Sequence, residues 1–217
     1  MGLYETFLLP KIIDLAMRQK HLSPYRTEVV GAARGRVLEI GAGSGLNLRY
    51  YGKEVQSVIG LDPSPRLLDR ARERAAKVSV PVEFMLGSAT AIPLADASVD
   101  TVVMTWTLCS IPDPAAALAE MRRVLKPDGR LLFVEHGLAP DASVERWQHR
   151  LTPIWRRIGG GCHLNRKMDA LMQAAGFDLP QLQTDYAPGP RPLSFMYHGC
   201  ACNPPAAGGS GYSASAV

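Results

Sequence analysis

The feature that most constrains the fold of this chain is a short apolar run that ends in alternating glycines. Residues 36–40 read Arg-Val-Leu-Glu-Ile, and residues 41–45 continue as Gly-Ala-Gly-Ser-Gly. A brief apolar run is typical of a buried parallel strand, while glycines allow a tight turn and the close approach of a ligand. The segment therefore predicts a strand, followed by a ligand-binding loop that opens a helix.

Strand-like and helix-like stretches alternate through the rest of the central chain. Ser64-Pro65 and Asp113-Pro114 each join an N-cap side chain to a proline suited to the first helical position. Such alternation predicts right-handed crossovers and an α/β fold with a doubly wound parallel sheet. The predicted strands cover 36–40, 55–61, 82–86, 100–105, 130–135, 179–184 and 193–199, the predicted helices 6–18, 25–33, 64–78, 113–125, 143–158 and 166–175, and a predicted turn 126–129.

Composition and charge exclude several classes of protein. Apolar residues make up 47% of the 217 residues and charged residues 20%, close to the average for a soluble globular chain. No stretch approaches the roughly 18 apolar residues of a membrane span, and residues 3–17 lack a signal-peptide cleavage site, so we expect a cytoplasmic location. The net charge of +4 is too small and too scattered to indicate a nucleic-acid partner.

The domain organisation follows from the same patterns. Two helical pieces over residues 1–34 form an N-terminal cap, and residues 35–200 form one α/β domain. From residue 203 to residue 217, 12 of 15 residues are Pro, Ala, Gly or Ser, which predicts a disordered tail. Tyr4 and Phe7 of the cap have two interpretations, because they either close over a bound ligand or pack on the sheet.

The four cysteines are expected to be reduced thiols, because no secretion signal precedes them. Cys200 and Cys202 are separated by one residue, and Cys162 is followed by His163. Neither spacing matches the usual zinc-binding patterns, so the sequence predicts no metal site.

The residues around the glycine loop favour one class of nucleoside ligand. Ligands of doubly wound sheets bind at the carboxyl ends of the strands, where Asp62 is placed to meet ribose hydroxyls. The dinucleotide fingerprint requires a third small residue where this chain has Leu46, and Glu39 would repel a phosphate. S-adenosylmethionine carries an ammonium and a sulfonium and no phosphate, so the electrostatics favour it over NAD.

Four segments together resemble the ordered motifs of class I S-adenosylmethionine-dependent methyltransferases. The resemblance covers about residues 30–200 and implies a Rossmann-like, mostly parallel, seven-stranded sheet with S-adenosyl-L-methionine as cofactor. It also implies that the glycine loop lies under the methionine part of the cofactor and that residues 87–89 flank the adenine. The segments are 37–45, 60–64, 99–103 and 124–129.

The residues expected to bind the cofactor belong to the glycine loop, the ends of the second and fourth strands, and the adenine segment. Many relatives carry an acid in the adenine segment, whereas Ser88 is neutral, so its hydroxyl or the Ala89 backbone is expected to make that contact. The complete set is Glu39, Gly41, Ala42, Gly43, Gly45, Asn47, Asp62, Pro63, Gly87, Ser88, Ala89, Thr105 and Trp106.

A narrower resemblance concerns the methyl acceptor. Four segments are similar to the methyltransferase-like 7 group of small-molecule thiol S-methyltransferases, which implies a small apolar thiol as substrate. His136 is the best candidate for a general base, because its pKa lies near working pH; orienting a loop is an equal alternative. Cys109 is expected to be part of the pocket wall and not a nucleophile. The segments are 107–111, 135–136, 147–155 and 161–166.

Other functions fit the same motifs. The motifs also resemble quinone C-methyltransferases and phospholipid N-methyltransferases, so a quinone, a phospholipid or an amine is the alternative acceptor. A protein that binds S-adenosylmethionine without turnover is a third interpretation. In each case we expect a small-molecule partner and no stable membrane insertion, and the sequence predicts no oligomeric state.

Overall fold

The structure, a computed structural model, describes residues 9–204. A seven-stranded sheet lies at the centre of this part of the chain. Its strands are β1 (Gly35–Ile40), β2 (Val55–Asp62), β3 (Val82–Leu86), β4 (Val99–Thr105), β5 (Leu125–His136), β6 (Asp178–Tyr186) and β7 (Phe195–Cys202). The helices are α1 (Leu9–Ala16), α2 (Ser23–Gly31), α3 (Pro65–Ala75), α4 (Pro114–Val124), α5 (Ala142–Ile158), α6 (Met168–Ala174) and α7 (Arg191–Ser194), and 3-10 turns cover Lys20–Leu22 and Leu48–Tyr50.

The strand order across the sheet is β3-β2-β1-β4-β5-β7-β6. Strand β7 runs antiparallel to β5 and to β6, and the other four neighbouring pairs are parallel. The order reverses between β1 and β4, so the crevice that such sheets use for ligands lies at the carboxyl ends of these two strands. The predicted α/β, doubly wound and mostly parallel seven-stranded sheet is confirmed.

Side-chain caps begin two helices where the sequence predicts them. The Ser64 hydroxyl accepts a hydrogen bond from the Leu67 amide at 3.4 Å, and the Asp113 carboxylate accepts one from the Ala116 amide at 3.0 Å. Each cap satisfies an amide that the first turn of a helix leaves without an intrahelical partner. The caps therefore fix where α3 and α4 begin, on the side of the sheet where β2 and β4 end.

Side chains of the central strands alternate between two buried layers. Leu38 and Ile40 of β1 pack with α4 and α6 in one layer, while Val37 packs with α2 in the other. Because the side-chain period of a strand is two residues, Glu39 belongs to the Val37 face and is directed toward α2. The predicted helix over residues 113–125 is α4, and its apolar stripe of Ala117, Leu118, Met121 and Val124 is fully buried in the first layer.

The connection after β1 differs from the prediction. The sequence predicts a helix opened by the glycine loop, but residues 41–47 form turns that lead into the 3-10 turn Leu48–Tyr50. The chain must return from Ile40 to begin β2 at Val55, and the three glycines of the loop have positive φ angles that an α-helix does not allow. The remaining connection is too short for an α-helix and a return loop, so the predicted helix is wrong.

The beginning of β5 also differs from the prediction. The sequence predicts a turn over residues 126–129 before the strand, but the strand runs through this segment. Val99 pairs with Leu125, and Thr101 pairs with Arg130, so the register shifts between the two pairs. The four residues form an irregularity inside β5, as in a β-bulge, and not a separate turn.

Several predictions lie outside the described residues. Residues 1–8 include Tyr4 and Phe7, and residues 205–217 make up most of the predicted tail. The boundaries of the cap and of the tail therefore stay predictions. Within residues 9–204, no helix combines the length and the apolar character that crossing a bilayer requires.

A buried carboxylate holds α1 against the glycine loop. Asp14 is 4% exposed and accepts hydrogen bonds from Ser44 of the loop and from Arg18 just after the helix. Arg70 and Arg74 of α3 also contact its oxygens, each at 3.2 Å. Burial opposes the ionisation of Asp14, but the Ser44 hydroxyl and the neighbouring guanidinium groups outweigh burial and lower its pKa. One side chain thus joins α1, the glycine loop and α3.

The substitution Asp14→Asn is expected to loosen α1, because a neutral amide cannot balance the guanidinium groups around it. A hydrogen bond to a charged group contributes about 1.5–3 kcal/mol, so amide hydrogen exchange in α1 should accelerate about tenfold or more. Asp69→Asn is the matched control, since Asp69 pairs with Arg72 at the surface, where ion pairs contribute little. Equal protection of α1 in the two variants would contradict the prediction.

Candidate functional site

The Asp62 carboxylate fixes the glycine loop at the carboxyl end of β2. Its Oδ2 accepts a hydrogen bond from the Gly43 amide, and its Oδ1 accepts one from the Ser64 amide, both at 2.8 Å. Burial raises the pKa of Asp62, and these two hydrogen bonds oppose that rise. Each carboxylate oxygen keeps a further lone pair, so the group that fixes the loop can also accept a hydrogen bond from a ligand hydroxyl.

The glycines of the loop are required for different reasons. A Cβ on Gly41 would lie 2.3 Å from the Thr107 hydroxyl, and one on Gly45 would lie 3.1 Å from Cα of Ala71 in α3. At Gly43, where φ is +54°, the nearest atom to a Cβ would be the Gly41 carbonyl oxygen, 3.7 Å away. Gly41 and Gly45 therefore allow close packing, whereas Gly43 borders open space that a ligand can fill.

A buried acid lies beneath the loop. Glu39 is 1% exposed, and its carboxylate accepts hydrogen bonds from the Asn47 amide at 2.9 Å and from the Tyr51 hydroxyl at 2.8 Å. Burial raises the pKa of Glu39 to about 7, although both hydrogen bonds act to lower it. A cation bound above the loop would favour the carboxylate form, which is the electrostatic role predicted for this acid.

The Asn47 side chain connects this acid to two more elements. Its Nδ2 also donates to the Thr105 hydroxyl at 3.0 Å, and its Oδ1 accepts from Nε of Arg26 at 2.9 Å. The sequence predicts Asn47 and Thr105 as cofactor contacts. Both residues lie at the site, and the side-chain amide of Asn47 links β1, β4 and α2 by its hydrogen bonds.

Sequence reasoning missed two members of this network, Arg26 and Tyr51. Arg26 lies in α2, before the first strand, and is 4% exposed. Tyr51 directly follows the 3-10 turn that takes the place of the helix predicted after the glycine loop. A buried arginine beside the apolar residues of a helix has no local pattern that marks a site, so neither residue could be assigned to the site before the fold was known.

Trp106, at the end of β4, has a backbone conformation that residues other than glycine rarely adopt, with φ of +49°. Its ring lies 4.7 Å from the Arg26 guanidinium, and its indole N–H points at the Met196 sulfur at 3.4 Å. Strained conformations persist where surrounding contacts determine them, often beside a ligand. The cation that the ring contacts is Arg26, and the contact of Trp106 with the cofactor stays a prediction.

The predicted adenine segment follows β3. The Gly87 amide donates to the Asp62 carbonyl at 3.2 Å, which holds the segment beside β2. Ser88 is exposed, and its hydroxyl lies 2.8 Å from the Thr90 hydroxyl and accepts from the Thr90 amide at 3.2 Å. The contact of Ser88 or Ala89 with adenine stays a prediction.

Two further predicted residues border Asp62. Ala42 is 5% exposed, and its amide donates to the Leu61 carbonyl at 3.1 Å. Pro63 is exposed and directly follows Asp62. The fold therefore brings the predicted cofactor residues together along the ends of β1, β2, β3 and β4, with their individual roles left as predictions.

A second buried acid shapes the loop after β4. Glu135 is fully buried, and its carboxylate accepts three backbone amides, from Thr107 at 2.6 Å, Leu108 at 2.9 Å and Cys109 at 3.3 Å. Burial raises the pKa of Glu135, and these amides oppose the rise. Because all three donors come from one loop, this carboxylate is directed at the backbone beside β5.

Folding brings the predicted base together with two cysteines. Nε2 of His136 lies 3.3 Å from Sγ of Cys162, and one atom from each of Cys109, His136 and Cys162 lies within 4.8 Å of the others. All three side chains are buried. The hydrogen bond between the thiols lowers the pKa of Cys162 and raises that of Cys109. The sequence predicted no such cluster, and the role of His136 as a base stays a prediction.

A family model described as "Methyltransferase domain" matches residues 38–133. This stretch begins in β1 and ends in β5. It therefore contains the glycine loop, Asp62, the adenine segment and the loop after β4, which are the parts of the site described above.

Known proteins of similar sequence include methyltransferases for different acceptors. "Thiol S-methyltransferase TMT1B" of Homo sapiens is 35% identical over 170 residues, which are 76% of this chain and 68% of that protein. The chain spans 64% of the length of the Rattus norvegicus protein of the same name, also at 35% identity. "Phosphatidylethanolamine N-methyltransferase" of Cereibacter sphaeroides is 35% identical over 62% of this chain and 70% of that protein.

Among solved structures, the YcgJ protein from Bacillus subtilis superposes with a TM-score of 0.62 at 27% identity, over 76% of this chain and 72% of that chain. These similarities indicate S-adenosyl-L-methionine as the cofactor. The residues present fit it, because Gly43 leaves open space, Glu39 supplies a buried acid for a cationic ligand, and Asp62 offers acceptors to hydroxyls.

Binding of S-adenosylmethionine is expected to release protons from Glu39 near neutral pH. A carboxyl with a pKa of about 7 is partly protonated there, and a nearby cation lowers that pKa. Titration calorimetry at pH 7 in buffers of different ionisation enthalpy should give enthalpies that differ in proportion to the protons released. The difference should vanish in Glu39→Gln, and its persistence in that variant would contradict the assignment.

The same shift sets how Glu39 affects stability. Its pKa in the folded chain lies above the usual value of 4.5, so its contribution to stability is complete below pH 4.5 and is lost as the pH rises through about 7. The thermal midpoint of Glu39→Gln should therefore depend less on pH than that of the wild type between these two values.

Gly43→Val is expected to weaken cofactor binding by about 100-fold or more, since its side chain would fill the space above the loop and prefers a negative φ. Calorimetric titration measures the loss, and circular dichroism reports whether the variant is folded. Gly31→Val is the control, because a Cβ there would meet only the Tyr50 carbonyl oxygen at 3.9 Å. A folded Gly43→Val with unchanged affinity would show that the loop does not cradle the cofactor.

Proposed function

Because the chain belongs to the class I S-adenosylmethionine-dependent methyltransferases, we propose that it methylates the sulfur of a small apolar thiol. The observation that carries the proposal is the apolar character of the segments that follow β4 and β5, at the strand ends where such sheets bind ligands. Leu108 and Cys109 after β4 and Ala139 after β5 are buried and apolar. Two of the most similar relatives are named as thiol S-methyltransferases, which supports the same acceptor.

The two acids at the ends of the central strands support a nucleophile that needs little help to ionise. Glu39 and Glu135 both direct their carboxylates at protein donors. A thiol has a pKa near 8.5, so roughly a few per cent is already thiolate at neutral pH. An alcohol of the same shape would require a strong base, which neither of these acids is placed to provide.

The chain contributes to the reaction by placing the acceptor in line with the methyl group of the cofactor. When bound, S-adenosylmethionine supplies a methyl group on a sulfonium, which a nucleophile can take in a single displacement. The hydrogen bond between Gly43 and Asp62 fixes the glycine loop on one side of the site. The loop after β4, which Glu135 holds, lies on the other side. Holding two reactants in line supplies a large part of the acceleration of such transfers, and apolar walls strengthen the attraction of thiolate for sulfonium.

Methyl-labelled S-adenosylmethionine and matched acceptors test the proposal. A thiol, an alcohol and an amine that share one apolar group are compared, and we expect label on the thiol. In chelator-treated protein the rate should rise about tenfold per pH unit below the acceptor's own pKa, so an acidic aryl thiol should reach its plateau at lower pH than an alkyl thiol. Turnover of an amine or a quinone with none of any thiol would contradict the proposal.

Asp62→Ala separates failure of the cofactor site from failure of the acceptor assignment. Losing charge-assisted hydrogen bonds should weaken cofactor binding by about 1–3 kcal/mol, and this loss should appear with every acceptor. A variant that retains wild-type cofactor affinity would contradict the cofactor site. Wild-type cofactor binding without label on any thiol would contradict only the acceptor.

A second candidate acceptor is a phospholipid amine, and the outer face of α5 favours it. Trp147, Ile154 and Ile158 are 54%, 61% and 50% exposed and recur at helical spacing. An apolar stripe flanked by arginines is typical of a helix that lies on an anionic membrane surface. Vesicles that contain phosphatidylethanolamine therefore belong in the acceptor panel. The exposed arginines are Arg146, Arg150, Arg156 and Arg157.

A further inference from the structure

We propose that Cys109, His136 and Cys162 form a binding site for Zn²⁺. The three residues come from the loop after β4, the end of β5 and the loop between α5 and α6. One atom from each lies within 4.8 Å of the others, and Sγ of Cys162 lies 3.3 Å from Nε2 of His136. The site replaces the expectation, drawn from sequence spacing, that the chain has no metal site.

The dimensions of the cluster suit a tetrahedral ion. Zn²⁺ binds sulfur at about 2.3 Å and imidazole nitrogen at about 2.0–2.1 Å, so its neighbouring ligand atoms lie about 3.5–3.8 Å apart. In the cluster, Sγ of Cys162 and Nε2 of His136 are 3.3 Å apart, slightly closer than this, and no two of the three ligand atoms are more than 4.8 Å apart. Adjustments of about 1 Å or less, within the reach of a side-chain rotation, would complete the geometry.

The backbone already holds both cysteines in place. The His163 amide donates to the Cys109 carbonyl at 2.8 Å, and the Arg166 guanidinium donates to the Leu108 carbonyl. The carboxylate of Glu135 also accepts the Cys109 amide. These bonds join the segments that carry the two thiols without using either thiol, so the site is organised before an ion binds.

Charge and ligand type favour Zn²⁺ over a hard cation. Two thiolates and a neutral imidazole balance one divalent ion, so the buried cluster would hold the ion without an uncompensated charge. Thiolate and imidazole are ligands of zinc and other soft or borderline metals, whereas magnesium and calcium prefer oxygen. Two charged groups that act on Cys162, Glu135 and Arg166, are of opposite sign.

Three protein ligands leave one position of a tetrahedral ion for an external ligand, as catalytic zinc sites do. Resting on the proposed function, we assign this position to the sulfur of the thiol acceptor, because a thiol that coordinates zinc is deprotonated. His136 is then a metal ligand, and not the base that the sequence predicts. The acceptor sulfur would bind the ion as a thiolate, and its proton would go to solvent.

Metal titration of the full-length chain tests the site without any acceptor or cofactor. Chelator-treated protein is titrated with Zn²⁺ against a chromophoric competitor, and separately with Co²⁺, whose absorption reports thiolate ligands and tetrahedral geometry. We expect one equivalent of metal per chain and an intense thiolate-to-cobalt charge-transfer band. Because this band is read on the wild type, it tests the site even if a variant fails to fold.

Substitutions identify the ligands. Loss of a residue that only hydrogen-bonds a metal ligand weakens metal binding about 10–100-fold, and loss of a ligand itself should weaken it further. We therefore expect Cys109→Ser, Cys162→Ser and His136→Gln each to weaken metal binding by about 100-fold or more. Cys200→Ser is the matched control, since Cys200 lies in β7 within the other buried layer and should leave binding unchanged.

Two results would overturn the site. One is a wild-type chain that takes up no Zn²⁺; if it also loses two titratable thiols on mild oxidation, Cys109 and Cys162 are a disulfide pair. The other is equal metal binding by the wild type and the three ligand variants.

The open position has its own test. Adding a small thiol to the cobalt-loaded chain should strengthen the charge-transfer band, whereas the matched alcohol should not. Cobalt binding with no response to thiol would contradict the acceptor position and leave the metal site standing. Failure of thiol methylation with metal bound would contradict the proposed function alone.

Discussion

The rest of the site depends on keeping the Glu39 carboxylate buried beneath the glycine loop. Asn47 and Tyr51 donate hydrogen bonds to it, and Asn47 passes the connection on to Thr105 and Arg26. A buried polar group is costly unless its partners are all in place, so this network favours one arrangement of β1, the loop, β4 and α2. The position of the loop is thereby tied to the core.

A second buried acid, Glu135, holds the other half of the site with hydrogen bonds. Glu135 takes three amides from the loop after β4, which fixes the backbone that carries Cys109. Both carboxylates accept hydrogen bonds from the protein, and neither is placed to act as a general base. This arrangement is consistent with an enzyme whose electrophile comes from the cofactor and whose nucleophile needs no protein side chain as a general base, since such a reaction needs alignment more than proton transfer.

Much of the fold was predictable because its signals are local. The caps at Ser64 and Asp113, the apolar stripe of α4 and the strand before the glycines each depend on residues within a turn or two. Prediction failed where the length of a connection and the pairing of strands overrode local propensity. The helix expected after the loop had no room to form, and residues 126–129 were absorbed into β5.

By itself the sequence determined the order of the seven strands along the chain, the glycine loop and the acid at the end of β2. These follow from periodicity and turn chemistry, which neighbouring residues carry together. Only the tertiary structure decided that Arg26 reaches Asn47 and that Cys109, His136 and Cys162 meet. Such contacts depend on which strands are adjacent and on their register. No local sequence pattern carries this information for residues that are far apart in the chain.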